Sequence, residues 1–195
     1  MAGELKSNTI LLGHGIFSIG TKAIALTRGG GKFTVEREYR KIEADGYPGA
    51  IKGNIVIDSS QAKLEINQLT VVPEDFATYY PGLNVDTATS GAVKITGDHT
   101  IKDTDYQDAV TWTGKTREGK PVKITVKNAI NLENIDWEMQ DKSEVINKLT
   151  YEACFTEGEL ETEPWEIEWG VATQQNDQQE KTQAVELNKT IIKRV

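Results

Sequence analysis

The 195-residue chain has one cysteine, Cys154, two histidines, and no window near the roughly 18 consecutive apolar residues of a membrane-spanning helix. A single cysteine excludes an intrachain disulfide and gives no reason to expect an oxidising compartment, so folding in the cytosol is expected. The opening MAGELKSNTILLGHG lacks a cationic segment followed by a long apolar run, which predicts a soluble, unprocessed chain without membrane insertion. His14 and His99 lie far apart, and neither neighbours a cysteine or sits in a Glu-x-x-His pattern, so surface or turn roles are expected rather than a zinc site. Positive charge is also short: 22 Lys and Arg against 30 Asp and Glu give a net charge of -8 and a pI near 4.9. Such a chain repels nucleic acid in bulk, and any contact with DNA should be avoidance rather than binding.

Catalytic patterns are equally scarce. Gly13-His14-Gly15 with Gly20 lacks the Gly-Lys-Ser/Thr ending of a phosphate loop, and strand or bulge glycine is the stronger reading. Asp103-Thr104-Asp105 with Asp108 has neither the glycine nor the glutamate that a calcium loop needs at its sixth and twelfth places, and a solvated loop is expected. There is no Gly-x-Ser-x-Gly elbow, and Cys154 without a histidine partner is a packing residue. Glu157, Glu159, Glu161 and Glu163 alternate strictly, but neighbours along one strand do not face each other across a cleft as glycosidase carboxyls do. A solvated acidic edge beside the apolar set Trp165, Ile167 and Trp169 is the expectation. No enzymatic activity, cofactor or metal is expected.

What is present is strand signal in a chain of 21.6 kDa, long enough for one ordinary domain with a real core. Residues 15–26 read as a strand, Arg28-Gly29-Gly30-Gly31 as a glycine turn, and residues 33–43 as the next strand. From 50 to 58, Ile51, Ile55 and Ile57 alternate with Lys52, Asn54 and Asp58 in the period of a half-buried strand. Ser59-Ser60-Gln61 then reads as a turn into a further strand over 63–72. Pro73 to Tyr80 is the one helical stretch, with proline suited to a first turn and Glu74 and Asp75 near the positive end. Four later segments alternate or are rich in Val, Ile, Thr and aromatics, with Arg117–Lys120 as a tight turn and Val145, Leu149, Tyr151, Ala153 and Phe155 as a core stripe. Residues 172–183 are polar and glutamine-rich, and AVELNKTIIKRV beyond them suits a last strand or a docking arm. The expected organisation is an N-terminal arm over 1–14, a β domain over 15–171 and a polar C-terminal segment over 172–195, with a mainly β fold of two packed antiparallel sheets and one short flanking α-helix.

The order of these features is familiar. An arm, a strand with a glycine turn, Glu36-Arg37-Glu38-Tyr39-Arg40-Lys41, a hairpin at Asp45–Gly49, Gly53-Asn54-Ile55-Val56-Ile57, the Pro73–Tyr80 helix and the later NLENIDWEMQDKSEVINKLTYEACF follow one another. Over roughly residues 5–170 the chain resembles the major tail tube protein of long-tailed, siphovirus-like bacteriophages. The resemblance implies a sandwich related in shape to the tubes of contractile tails and type VI secretion. It implies hexameric rings closed by continuous sheet pairing, stacked into a hollow tube that carries the genome into the host. Tape-measure, tail-tip and tail-terminator proteins would be its partners, and the virion tail its place, after assembly in the host cytoplasm. By position, Glu36, Glu38, Lys52, Asn54, Asp58 and Glu65 become candidates for the lumen lining. Arg37, Arg40 and Lys41 are candidates to pair with acids of neighbouring subunits, and Asp45, Gly46, Tyr47 and Pro48 form the short loop toward the next ring. The alternating charges also suit a plain solvated surface. A monomeric β-sandwich that binds carbohydrate on Trp112, Trp137, Trp165 and Trp169 is the competing expectation; it would stay monomeric where a tube subunit assembles.

Overall fold

The computed structural model describes residues 10–43, 45–87 and 91–170. Among the described residues, ten strands and two helical turns follow in order: β1 (Leu11–Ile19), β2 (Lys22–Ala23), β3 (Thr27–Lys41), β4 (Ile55–Gln68), a 3-10 turn at Pro73–Asp75 running into α1 (Phe76–Tyr79), β5 (Leu83–Asp86), β6 (Lys94–Gly97), a 3-10 turn at Asp103–Asp105, β7 (Gln107–Thr116), β8 (Pro121–Asn131), β9 (Asn147–Glu152) and β10 (Trp165–Trp169). All pairings are antiparallel, and β5 and β6 form a separate small sheet.

The large sheet runs β2-β1-β7-β8-β9-β4-β3, with β10 also on β8. Strand β8 is the hinge of this path: residues 122–126 lie between β7 and β10, and Ile130 and Asn131 pair with β9. The sheet thus folds over so that its two halves face each other. Phe33 of β3 meets Trp165 of β10 at 5.9 Å between ring centroids, and Gly31 stands against the Phe17 ring of β1. Between the halves lie Phe17, Ile19, Leu64, Ile66, Val110, Trp112, Val126, Leu149 and Tyr151, each at alternate positions of its strand as a period of two requires. Trp112 lies flat over its neighbours. A Cβ at Gly114 would stand 2.2 Å from its ring and one at Gly15 2.4 Å, so these two glycines are the space the indole occupies.

Both expected turns inside the long hairpin are bulges instead. Between the pairs Thr27–Gln68 and Gly31–Ile66, β3 carries two more residues than β4; Gly29 (φ 82°) and Gly30 (φ 70°) take the left-handed backbone this needs, and the strand continues through them. Between Glu38–Ser59 and Tyr39–Ile57 the extra residue is Asp58 on β4, so the chain does not turn at 59–61. The bulge changes which parity faces inward. Ala62, Leu64 and Ile66 face the core at even positions, and below the bulge Ile57 and Ile55 continue that face at odd ones.

Three further expectations are corrected. Residues 15–26 are not one strand, because Gly20 (φ 55°) turns β1 back into β2. Ile55 and Ile57, expected half-buried, are 51% and 50% exposed, since the hairpin outruns the sheet it would pack on. Phe155 closes the stripe of Leu149 and Tyr151 in sequence but lies past the end of β9 and is exposed. The 73–80 helix and the Arg117–Lys120 turn stand where expected, the latter joining β7 to β8 with Gly119 N–H donating to Thr116 O.

A buried polar network ties the helical turn to the sheet. Asn147, fully buried, accepts through Oδ1 from the Tyr80 hydroxyl (2.8 Å) and the Trp137 indole (3.1 Å) and donates through Nδ2 to Gln68 Oε1 (3.2 Å). Asn131 donates to Tyr79 O (2.7 Å), and the Tyr151 hydroxyl donates to Thr78 O (3.2 Å). Burial, with the charge of Glu133, pushes the Tyr80 hydroxyl up to about 12, so it stays a donor throughout the physiological range.

Candidate assembly surface

The sheet ends at β3 on one side, and among the described elements this 15-residue strand pairs only with β4. Its outer edge therefore offers a long row of unpaired backbone groups, the usual template for pairing with another chain. The five-residue edge strand β10 is shorter, and its outer side chains are pinned back to β8 by Lys127–Glu166 (2.8 Å) and Lys123–Glu168 (3.8 Å).

Strand alternation divides the β3–β4 hairpin into two faces. On the outward face lie Glu36, Glu38 and Glu65, three of the lumen candidates, together with cations that partner them or their neighbours: Lys32–Glu65 at 3.8 Å and Lys63–Glu152 at 2.9 Å. Ser59 Oγ donates to Glu38 at 3.1 Å. This face is mixed in sign rather than uniformly acidic. The structure does not bring the other three candidates onto it in the same way. Lys52 and Asn54 belong to the connection before β4, where Ile42 N–H donates to Asn54 O, and Asp58 is the bulge residue.

Two of the three basic residues expected to await acids on a neighbour have acids of their own chain. Arg40 Nε donates to Asp58 at 2.8 Å. Arg37 points to the inner face, where its guanidinium reaches Glu163 at 3.0 Å and lies 5.7 Å above the Trp165 ring. Lys41 is exposed at the end of β3 opposite Ile55, and Asp45, Gly46, Tyr47 and Pro48 form the exposed end of the hairpin with Gly46 at φ 85°.

Glu163 is the anchor of the acidic run. Desolvation pushes its carboxyl up, but hydrogen bonds from Ser60 Oγ (2.7 Å) and Trp165 Nε1 (3.0 Å) and the Arg37 charge outweigh it and hold the carboxyl below its ordinary value. A depressed carboxyl contributes stability above its unfolded pKa, about 4.3, and loses that contribution as pH falls through the folded value. The stability gap between the wild type and Glu163→Gln is therefore expected to narrow below about pH 4.3. Denaturant midpoints of the two proteins across that range check this, and a gap that does not change with pH refutes it.

What the sequence reading missed is apolar. Tyr39, Ile55 and Ile57 share the inner face of the hairpin below the bulge, where Tyr39 is 61% exposed, and Phe155 and Leu160 lie beside Ile57. The signal was the change of apolar parity between Ile57 and Ala62, which marks a bulge as well as a turn. The tryptophans are dispersed: Trp112 is buried, Trp165 sits under Arg37, the Trp137 indole donates to Asn147, and Trp169 is exposed at the end of β10. Among the described residues no three His, Cys, Asp or Glu side chains gather as a metal site, and the Asp105 carboxylate caps its own turn by accepting from Lys102 N–H at 3.0 Å. Burial, with the Glu152 charge, raises the Cys154 thiol pKa, which disfavours the nucleophilic thiolate. No helix of the described residues is long and apolar enough to cross a membrane. Compared with known proteins, the chain matches no family model and no curated sequence.

Proposed function

We propose that the chain is a structural subunit that assembles with copies of itself, as stacked hexameric rings, into the hollow tail tube of a long-tailed bacteriophage. The observation that carries the proposal is the β3–β4 hairpin: a 15-residue edge strand with one side unpaired among the described residues, whose inner face beyond the core is exposed and carries Tyr39, Ile55 and Ile57. A free edge of this length beside exposed apolar side chains is costly in a monomer, and pairing with another copy removes both costs. The outward face, carrying Glu36, Glu38 and Glu65, is the one to line a channel. Its acids are partly balanced by Lys32, Lys63 and Arg40, so phosphates meet a hydrated surface without a basic groove to hold them. The role is structural rather than catalytic, with DNA passing through unbound.

Negative-stain electron microscopy of the purified chain, concentrated at several salt levels, tests this. Rings or hollow tubes are the expected result. Uniformly small particles at every concentration, together with glycan binding lost on Trp169→Ala, would replace the proposal with the sugar-binding module.

A further inference from the structure

A groove of about 380 Å³ runs along the flank of the hairpin, between the lower part of β4 and the loop that leads into β10. Ile57, Phe155 and Leu160 give it apolar walls, and Leu160 is 71% exposed. Asp58 and Glu163 on its rim are held by Arg40 and Arg37. Glu157, Glu159 and Glu161 of the adjoining loop are exposed and form no ion pair among the described residues. Uncompensated carboxylates beside exposed aliphatic side chains favour an occupant that is both aliphatic and cationic.

The described chain presents such a surface at the start of β1 and the end of β7. Ile10 O accepts from Arg117 N–H, and Leu11 pairs with Thr116, whose side chain is buried. Ile10 and Leu12 flank Leu11, and Lys115 and Arg117 flank Thr116, so strand alternation turns these four to the opposite, solvent side of the sheet. Ile16 and its partner Thr113 share that side, because Phe17 and Trp112 next to them face the core. Ile10, Leu12 and Ile16 are 49%, 43% and 59% exposed. Lys115 and Arg117 form no ion pair among the described residues, whereas Lys123 and Lys127 on the same side are matched by Glu168 and Glu166 of β10.

We infer that the groove of one copy receives the β1–β7 patch of a second copy, with Ile10, Leu12 and Ile16 against Ile57, Phe155 and Leu160, and with Lys115 and Arg117 toward the acids of the 157–161 loop. Such a contact rests on the self-assembly proposed above and adds a second surface, besides the β3 hairpin, at which copies meet. The two surfaces are different parts of the molecule. The contact is therefore head-to-tail, and each copy keeps one groove or one patch open to continue a ring or a filament. Burial of the aliphatic side chains drives it, and the opposed charges fix its register, since a like-charged approach is rejected.

Two charge-reversed variants of the full-length chain test this by sedimentation velocity, at exposed sites where the melting temperature is expected to stay that of the wild type. Lys115→Glu with Arg117→Glu makes the patch acidic, and Glu157→Lys with Glu159→Lys and Glu161→Lys makes the groove rim basic. Alone, each is expected to stay monomeric at concentrations about tenfold above those at which the wild type associates. An equimolar mixture of the two is expected to associate again, because the acidic patch of the first meets the basic rim of the second, and the native patch of the second meets the native groove of the first. Variants that associate singly as the wild type does, or a mixture that stays monomeric where the wild type associates, overturn this contact and leave the tube proposal resting on the β3 hairpin. A wild type that is monomeric at every concentration overturns both. Association restored in the mixture, with no rings or tubes of the wild type in the electron microscope, keeps the contact and removes the tube.

Discussion

Replacing Asn147 with leucine is expected to lower stability by about 3 kcal/mol. The amide has no exposed surface and three partners: it accepts from Tyr80 and Trp137 and donates to Gln68, itself 2% exposed. Leucine fills the space but satisfies none of them. Tyr80 keeps a second acceptor in Lys148 O at 3.1 Å, and the half-exposed Trp137 indole can turn to water, so the uncompensated cost falls on Gln68 and on the lost bonds themselves. A buried acceptor left without a donor costs about 1–3 kcal/mol, which together with two weakened bonds of about 0.5 kcal/mol each gives about 2–4 kcal/mol, centred on the expected figure. In a domain of this size that corresponds to a melting temperature lower by roughly 6–12 °C. Urea denaturation measures it, with an unchanged slope showing that the same surface is exposed on unfolding. A loss under about 1 kcal/mol would mean that water or a rearranged Gln68 takes the place of the amide.

The second large effect is on assembly rather than stability. Tyr39→Lys with Ile57→Glu replaces a directly opposed cross-strand pair of exposed apolar residues with an opposed pair of opposite charge. The new pair favours the hairpin as much as the old one, and substitutions at such exposed sites alter stability by about 0.5 kcal/mol or less. The subunit is therefore expected to fold normally, with an unchanged melting temperature. Two of the three exposed apolar side chains of this face are gone, however, and a contact between copies would have to desolvate two charges to re-form. Rings or tubes are expected to disappear at concentrations tenfold above those at which the wild type forms them, as read by electron microscopy and sedimentation. Tubes that form as readily in the double variant would remove this face from the interface and leave the β3 edge alone to account for assembly.

Much of the fold was legible because a strand announces itself locally. The alternation of Leu64 and Ile66 with Lys63 and Glu65, the proline before two acids at 73–75 and the Arg117–Lys120 turn each follow from the conformational preferences of a few adjacent residues. The candidate surface was legible only in part. Glu36, Glu38 and Glu65 share a face because a period of two places them there, but whether a charge is free depends on what the chain brings up from far away: Glu163 to Arg37 across 126 positions, Glu152 to Lys63 across 89. Ion-pair partners at such separations leave no trace in a local pattern.

Glycines and parity changes mark the limit most clearly. Arg28–Gly31 and Ser59–Gln61 carry the composition of turns, and locally a turn and a bulge ask for the same things: left-handed backbone in the first case, an interrupted alternation in the second. The choice between them rests with the partner strand. In the folded chain β3 and β4 hydrogen-bond on both sides of each irregularity, so one long hairpin is formed instead of several short ones. The sequence by itself determined that this protein is built mainly of strands, that a helical turn starts at Pro73, and that no intrachain disulfide can form. Only the tertiary structure decided that its longest hairpin extends past its own core, because burial is a property of what packs opposite a residue, and nothing in the described chain packs opposite Tyr39, Ile55 and Ile57 closely enough to cover them.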